Sequence, residues 1–149
     1  MDYRQLLFYQ KAREVLKLVD NETKAWPKSM QAWEIARQLF RAATSVGANI
    51  AEGHGRHEGL EYVHYLKIAQ GSANEVDHWL HTAIDCNIGD EKVLRHIGAL
   101  NNEARKMLAT TIVTLQKQSR IKTVHEPTED YSLAPSPLTP FSNDDFDKE

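Results

Sequence analysis

The sequence predicts an all-α protein, an antiparallel up-down-up-down four-helix bundle followed by a disordered acidic C-terminal tail. Three observations predict this class. Apolar residues recur every three to four positions through the first 120 residues. No stretch in that region alternates apolar and polar residues long enough to indicate a strand. Short corners separate four periodic segments, which favours neighbouring helices that run antiparallel.

The first two periodic segments are joined by a corner that contains proline. The first segment spans about residues 3–22, and its apolar stripe is Phe8, Ala12, Val15 and Val19. Pro27 disfavours helix at the residue before it, and Ser29 has a side chain suited to an N-cap. The second segment, about residues 30–52, has a wide apolar arc, as expected of a helix with more than one packing partner. The residues of that arc are Trp33, Ala36, Phe40, Ala43 and Ile50, with Ile35, Leu39 and Val46 beside them.

The third and fourth segments, about residues 60–86 and 91–119, are predicted to complete the bundle. The stripe of the third is Tyr62, Leu66, Ala69, Ala73, Val76, Leu80 and Ala83. The sequence NIGD ends that segment, and Asp90 is the predicted N-cap of the fourth. The stripe of the fourth is Val93, Ile97, Leu100, Ala104, Met107, Thr111 and Thr114, a spacing that suits a left-handed bundle seam.

The residues from 121 to 149 differ in composition from the bundle domain, residues 1–120. They hold four of the five prolines and seven acidic residues against two basic ones. Such a segment buries too little apolar surface to offset the entropy of ordering, so we predict that it is disordered. Phe141 and Phe146 lie among acidic residues and are candidates for binding a partner. A tail that only improves solubility is the alternative.

Composition and charge restrict the class of protein. No apolar run approaches the roughly 20 residues needed to span a bilayer, and the first residues lack the features of a secretory signal, so we predict a cytoplasmic protein with no membrane partner. The single cysteine, Cys86, excludes an internal disulfide. Residues 1–120 carry 16 basic and 14 acidic residues, so net charge by itself does not argue for non-specific nucleic-acid binding.

The glycine-rich stretch GHGRHEG, residues 53–59, resembles a phosphate-binding loop only superficially. Nucleotide-binding loops follow a strand and have set glycine spacings, whereas this stretch follows a predicted helix. We therefore predict that Gly53 and Gly55 form the corner between the second and third helices, with Gly53 in the left-handed conformation. His54 and His57 flank Arg56, but no catalytic partner or pocket is identifiable, and we expect no enzymatic activity.

Metal-ligating residue types occur on the third segment. Two Glu-x-x-His pairs match the element used by di-iron bundles, and they are Glu61 with His64 and Glu75 with His78. The two pairs lie fourteen residues apart on one helix, about 21 Å, so they cannot share a di-metal centre. His81, Asp85 and Cys86 lie near the face of His78 and are zinc-ligand types. Because histidines are common on half-exposed helices, we expect no metal and no cofactor.

A polar pattern connects the second and third segments. On the second it is Ser45, Asn49, Glu52 and Arg56, at steps of four, three and four. Ser72 and Glu75 share a face of the third helix, where Gly71 would let another backbone approach. If the two faces meet, Asn49 hydrogen bonds to Ser72 and Arg56 pairs with Glu52 or Glu75. We predict an interhelical polar seam of Ser45, Asn49, Glu52, Ser72 and Glu75, and the alternative is a ligand or RNA contact.

The same residues carry a resemblance to a known family. The strings FRAATSVGANIAEGHGR and EYVHYLKIAQGSANE resemble the bacterial four-helix bundle proteins encoded in intervening sequences of 23S ribosomal RNA genes. The matching positions are Pro27, Lys28, Arg41, Ala42, Ser45, Val46, Asn49, Ile50, Ala51, Glu52, Gly53, Arg56, Glu61, Tyr62, Tyr65, Leu66, Ile68, Ala69, Gly71, Ser72 and Glu75. Phe40 and Gln70 stand where members often carry arginine.

The resemblance implies a bundle subunit that assembles into a ring-shaped homopentamer, with no established enzymatic activity. A related branch comprises accessory proteins of diversity-generating retroelements, in which a basic pentamer binds a reverse transcriptase and nucleic acid. We therefore expect a non-enzymatic, RNA- or nucleoprotein-associated accessory factor, and the alternative is a protein-binding scaffold without direct nucleic-acid binding. The nucleic-acid candidates are Arg37, Arg41, Arg56, Arg105 and Lys106, for which a solvated or salt-bridged face is the other interpretation.

Overall fold

The computed structural model describes residues 1–56 and 59–125, and these residues form four α-helices and no strand. A 3₁₀ turn, Tyr3–Gln5, precedes the first helix. The helices are α1, Leu7–Thr23; α2, Met30–Gly55; α3, Gly59–Asp85; and α4, Glu91–His125. The predicted all-α bundle is confirmed. Residues 126–149, which include Phe141 and Phe146, lie outside the described part of the chain.

The helices pack in an up-down-up-down arrangement. Helix α1 packs against α2 and α4, and α3 packs against the same two helices, while α2 and α4 occupy opposite corners. Three contacts show the antiparallel register of neighbours. Lys11 pairs with Glu103 at 3.0 Å, Ser45 hydrogen bonds to Ser72, and the buried Asn101 amide donates to the Ala73 carbonyl at 2.9 Å. Nothing in the pattern of apolar residues predicted this role for Asn101.

Helix α2 buries only one flank of its wide apolar arc. Ile35, Leu39 and Val46 are buried, whereas Trp33 is 65% exposed and Phe40 is 44% exposed. Trp33 and Phe40, which periodicity places on one face with the buried Ala43 and Ile50, are therefore left without a packing partner in the core. The physical reason is geometric: α2 packs against α1, α3 and the 3₁₀ turn, and no other element of the described residues contacts it.

Helix α4 also differs from its predicted stripe and length. Its buried positions are Leu94, Ile97, Leu100, Asn101, Ala104, Leu108 and Ile112. Beyond Ala104 the buried stripe is thus displaced by one residue from the predicted Met107 and Thr111, because two neighbouring apolar stripes compete there. The helix also continues to His125 rather than ending near residue 119.

The helix ends confirm the predicted caps. Ser29 Oγ accepts a hydrogen bond from the Ala32 N–H at 3.1 Å, and Asp90 Oδ1 accepts from the Lys92 N–H at 2.9 Å. Each cap satisfies a donor that the helix itself leaves unpaired. Within the described residues no helix is long and apolar enough to cross a membrane.

Hydrogen bonds to the Glu22 side chain connect the corner between α3 and α4 to the end of α1. Glu22 Oε1 accepts from the Asp90 N–H at 2.7 Å and from the indole N–H of the buried Trp26 at 3.3 Å. Gly89 adopts φ +84°, and a Cβ there would lie 2.5 Å from Trp26 Nε1. Glycine is required at this position by its left-handed backbone and by the close indole.

Candidate functional site

The predicted seam residues come together between α2 and α3 with a different pairing. Ser45 Oγ lies 2.9 Å from Ser72 Oγ, and the Asn49 amide donates to the Ser45 carbonyl at 2.8 Å and to Ser45 Oγ at 3.1 Å. Ser72 is 8% exposed. Asn49 thus supports Ser45 instead of bonding to Ser72. The result is a short polar seam that fixes α2 against α3.

Two acidic members of the predicted seam lie apart from this cluster. Glu52 is exposed and binds Arg56, while Glu75 is exposed and makes no hydrogen bond or ion pair to another described residue. Gly71 has no atom within 4 Å of a Cβ built on it, so the predicted backbone approach is not made within this chain. The seam among described residues is therefore limited to Ser45, Asn49 and Ser72.

The Arg56 side chain is bound by carboxylates at the end of α2 and the start of α3. Its guanidinium donates to Glu52 at 2.9 and 3.0 Å and to Glu61 at 3.2 Å, and it lies 5.5 Å from the centre of the Tyr65 ring. The hydrogen bond to Glu52 is the main reason that the pKa of Arg56 lies above its ordinary value. These contacts join the end of α2 to the start of α3 and leave Arg56 poorly placed for a phosphate.

The prediction that Gly53 has a left-handed backbone at the corner between α2 and α3 is wrong. Gly53 and Gly55 form the last turn of α2 with helical backbone, and Gly59 is the left-handed residue at this corner, with φ +55°. Gly53 is needed instead for close packing, since a Cβ there would lie 2.8 Å from Tyr65 Cβ and 3.0 Å from Tyr62 Cδ2. A Cβ on Gly55 would meet no atom within 4 Å.

The five nucleic-acid candidates do not form one surface. Arg37 and Arg41 lie one turn apart on α2, whereas Arg105 and Lys106 lie on α4, the helix at the opposite corner of the bundle. Arg105 also approaches Asp77 at 3.9 Å. Arg37 and Arg56 are both paired with carboxylates, and the candidates on α2 and those on α4 lie on helices that do not contact each other.

Two basic residues of α1, Arg13 and Lys17, lie level with part of α2. A Cβ on Gly47 would lie 3.5 Å from Tyr9 Cε2, so Tyr9 marks the level at which α1 crosses Gly47. The two helices are antiparallel, so residues that follow Tyr9 on α1 lie level with residues that precede Gly47 on α2. Arg13 and Lys17, one and two turns after Tyr9, are therefore level with the part of α2 between Phe40 and Gly47. Arg13 and Lys17 are exposed and have no carboxylate partner among the described residues.

We call this surface the α1–α2 face and define it by Arg13, Lys17, Trp33, Arg37 and Phe40. Arg37 donates to Glu34 at 2.8 and 3.2 Å, and its guanidinium carbon lies 5.8 Å from the centre of the Trp33 ring. A cleft of about 610 Å³ lined by Tyr3, Arg4, Tyr9, Gln10, Arg13, Glu14 and Lys17 adjoins the face. The face therefore combines exposed aromatic rings with cations.

Sequence reasoning missed Arg13 and Lys17. Their signal was their spacing of four on the solvent-exposed side of α1, but only the packing of α1 against α2 shows that they lie at the level of Phe40. The zinc interpretation finds no geometric support, because no three histidine, cysteine or acidic side chains of the described residues cluster as a metal site would require. His81 instead lies 3.7 Å from Asp77.

The fold and these surfaces together define a small four-helix-bundle protein with a polar interhelical seam and an exposed aromatic and basic face. The chain belongs to the 23S rRNA-intervening sequence protein family, whose model matches residues 4–110. That match includes the motif from Pro27 to Glu75 and confirms the family resemblance.

A solved structure similar to this chain supports the same assignment. It is a protein of unknown function from the S23 ribosomal protein family of Bacteroides thetaiotaomicron, 26% identical with a TM-score of 0.65. The alignment covers 75% of this chain and 98% of that one. Comparison with curated proteins finds no match.

Proposed function

We propose that this protein is a non-enzymatic, oligomeric accessory factor that associates with RNA, or with a nucleoprotein that contains it, through the α1–α2 face. The observation that carries the proposal is the exposure of Trp33 and Phe40 on α2, with Arg37 over the Trp33 ring and with Arg13 and Lys17 exposed on the neighbouring helix α1. Bases stack on exposed aromatic rings, and basic side chains beside those rings neutralise phosphates. The family name supports the same association.

The charge distribution is consistent with a local face rather than a uniformly basic surface. Residues 1–56 carry nine basic and six acidic residues, and among the latter Glu34 and Asp20 are paired with Arg37 and Lys24. Binding through such a face should be moderate in affinity, and its dependence on salt should be shallow, because the salt slope is proportional to the number of phosphates neutralised and few are neutralised here.

The oligomeric part of the proposal is supported by a second surface, on α3. Ile68 is 40% exposed, and Gly71 is exposed with no side chain packed against it. An exposed apolar side chain beside bare backbone suits close packing of another helix. The homopentamer implied by the family resemblance is the expected assembly, and molar mass from light scattering on the full chain tests it.

The RNA proposal is tested by titrating a structured RNA into the full chain at several salt concentrations. The test variant is the triple substitution Arg13→Gln, Lys17→Gln and Arg37→Gln. The matched control neutralises three exposed cations on α3 and α4, and its substitutions are Lys67→Gln, Lys92→Gln and Lys117→Gln. We expect the test variant to lower the slope of log affinity against log salt by roughly two to three, and the control to change it little. Equal effects of the two variants would contradict a localised binding face.

A protein-binding scaffold, such as a reverse-transcriptase accessory subunit without direct nucleic-acid contact, is the second candidate. Trp33 beside Arg37 favours it, because tryptophan and arginine are the residue types that dominate protein interfaces. The double substitution Trp33→Ala and Phe40→Ala would then abolish partner binding, and the affinity of the unsubstituted chain would depend only weakly on salt. No RNA binding at low salt, with a five-fold mass retained, would support this candidate over the first.

A further inference from the structure

The C-terminal segment of this chain is opposite in charge to the rest of the molecule. Residues 126–149 contain seven acidic residues and one lysine, a net charge of −6, while residues 1–125 carry 17 basic and 14 acidic residues, a net charge of +3. The final residues, PLTPFSNDDFDKE, place Phe141 and Phe146 next to Asp144, Asp145 and Asp147. This segment thus offers both chemical groups that the α1–α2 face would bind.

We propose that the acidic, phenylalanine-bearing end of this chain, residues 141–149, docks on the α1–α2 face of the same chain and competes there with RNA. Aspartates would pair with Arg13 and Lys17, and a phenylalanine would pack beside Trp33 or Phe40. The docking stands without the proposed function, whereas the competition with RNA rests on it.

Charge complementarity selects this occupant. Arg13 and Lys17 have no carboxylate partner among the described residues, although both are exposed on the helix that packs against α2. The acidic groups nearest to the face along α1 and α2 are Glu14, Asp20 and Glu34, and the last two are already paired with Lys24 and Arg37. The face therefore retains positive charge that an acidic segment can neutralise.

The length of chain beyond α4 is sufficient for this docking. Helix α4 ends at His125, and Leu7 lines one groove with Met107 and Thr110, which sets the level of α1 on α4. By helix rise, His125 lies roughly 40 Å along the bundle axis from Phe40. The sixteen residues from His125 to Phe141 span up to about 53 to 58 Å when extended. The segment can thus return along the bundle and still cross about 15 Å of surface.

A paramagnetic probe in the full chain tests the docking without RNA. The probe is a nitroxide attached at Ser142→Cys in a Cys86→Ser background, and the readout is the indole N–H signal of each tryptophan. We expect broadening of the Trp33 signal, with Trp79 on α3 as the internal control. Equal broadening of the two indoles, or none at Trp33, would overturn the docking. The Trp33 broadening must also persist when the labelled chain is refolded with a large excess of unlabelled chain. Its loss on dilution would overturn the assignment to the same chain.

Matched charge variants test the mechanism. The test variant carries Asp144→Asn, Asp145→Asn and Asp147→Asn, and the control carries Glu126→Gln, Glu129→Gln and Asp130→Asn, an equal change of charge closer to α4. We expect the test variant to lose the Trp33 broadening and to bind RNA at least about threefold more tightly, with little effect of the control. Equal effects of both variants would show that the acidic residues only repel RNA at a distance, and this result would refute the docking.

The outcomes separate the two proposals. Trp33 broadening that the test variant abolishes, together with no RNA binding at any salt concentration, would retain the docking and reject the proposed function. Salt-sensitive RNA binding through the α1–α2 face, with no broadening of Trp33, would retain the function and reject the docking.

Discussion

Substitution of Gly53 by alanine tests why a glycine stands at the end of α2. In a helix an alanine gains about 0.5 to 1 kcal/mol over glycine. Here the new Cβ would lie 2.8 Å from Tyr65 Cβ, an atom fixed to the α3 backbone, so rotation of a side chain cannot relieve the overlap. Overpacking of this kind costs about 1 to 3 kcal/mol. The expected net change is a loss of about 1 kcal/mol in the free energy of unfolding.

Gly55→Ala is the matched control for this substitution. Gly55 is exposed in the same last turn of α2, and a Cβ there meets no atom within 4 Å, so alanine should stabilise the chain by up to about 1 kcal/mol. Because the helix propensity term is shared, the difference between the two variants isolates the overlap, about 1 to 3 kcal/mol. Urea denaturation followed by far-ultraviolet circular dichroism measures both variants.

Two results would refute this reasoning. If Gly53→Ala were as stable as Gly55→Ala, close approach of α3 would not be the reason for the glycine. If Gly53→Asn were more stable than Gly53→Ala, the position would behave as a left-handed one, since asparagine adopts that conformation more readily than alanine. The structure instead predicts that the larger asparagine costs more.

Five substitutions at three further positions test the Glu22 hydrogen bonds and the buried Asn101 amide. Gly89→Ala forces a left-handed alanine against the Trp26 indole and should cost about 2 to 4 kcal/mol by the same denaturation assay. Glu22→Ala removes the acceptor shared by Trp26 and Asp90 and should cost about 1 to 2 kcal/mol, while Glu22→Gln, which keeps an acceptor, should cost less. Asn101→Ala should cost about 1 to 3 kcal/mol, whereas Asn101→Leu should stay within about 1 kcal/mol of the unsubstituted chain. Equal costs for the two members of either pair would contradict the assigned contacts.

The helices were predictable because their signals are local. Apolar periodicity sets each segment, and Ser29 and Asp90 bond to N–H groups two or three residues away, so the sequence itself contains both partners. Local signals fail where two registers compete. In α4 the stripes through Met107 and Leu108 differ by one residue, and only packing against α1 and α3 decides which of them is buried.

The candidate site was less predictable because it depends on helix rotation. Ser45 and Ser72 were correctly placed on facing surfaces, but the partner of Asn49 depends on a fraction of a turn that periodicity does not resolve. The same rotation decides whether Trp33 enters the core or remains exposed. The sequence shows that the apolar arc is wide but not which of its aromatic residues are exposed. They indicate an interaction surface only once the positions of the neighbouring helices are known.

The tail and RNA are both polyanions, so salt weakens the contact of each with the α1–α2 face, and the two effects on RNA affinity oppose each other. Screening weakens the contact of RNA with the face, but it also weakens the tail contact that RNA must displace. The salt slope measured on the full chain is then smaller than the number of neutralised phosphates implies. Neutralising Asp144, Asp145 and Asp147 should therefore steepen that slope as well as raise affinity at low salt. A tail that acted only through distant repulsion would give the same change when Glu126, Glu129 and Asp130 are neutralised, so the comparison of slopes separates direct occupation of the face from a long-range field.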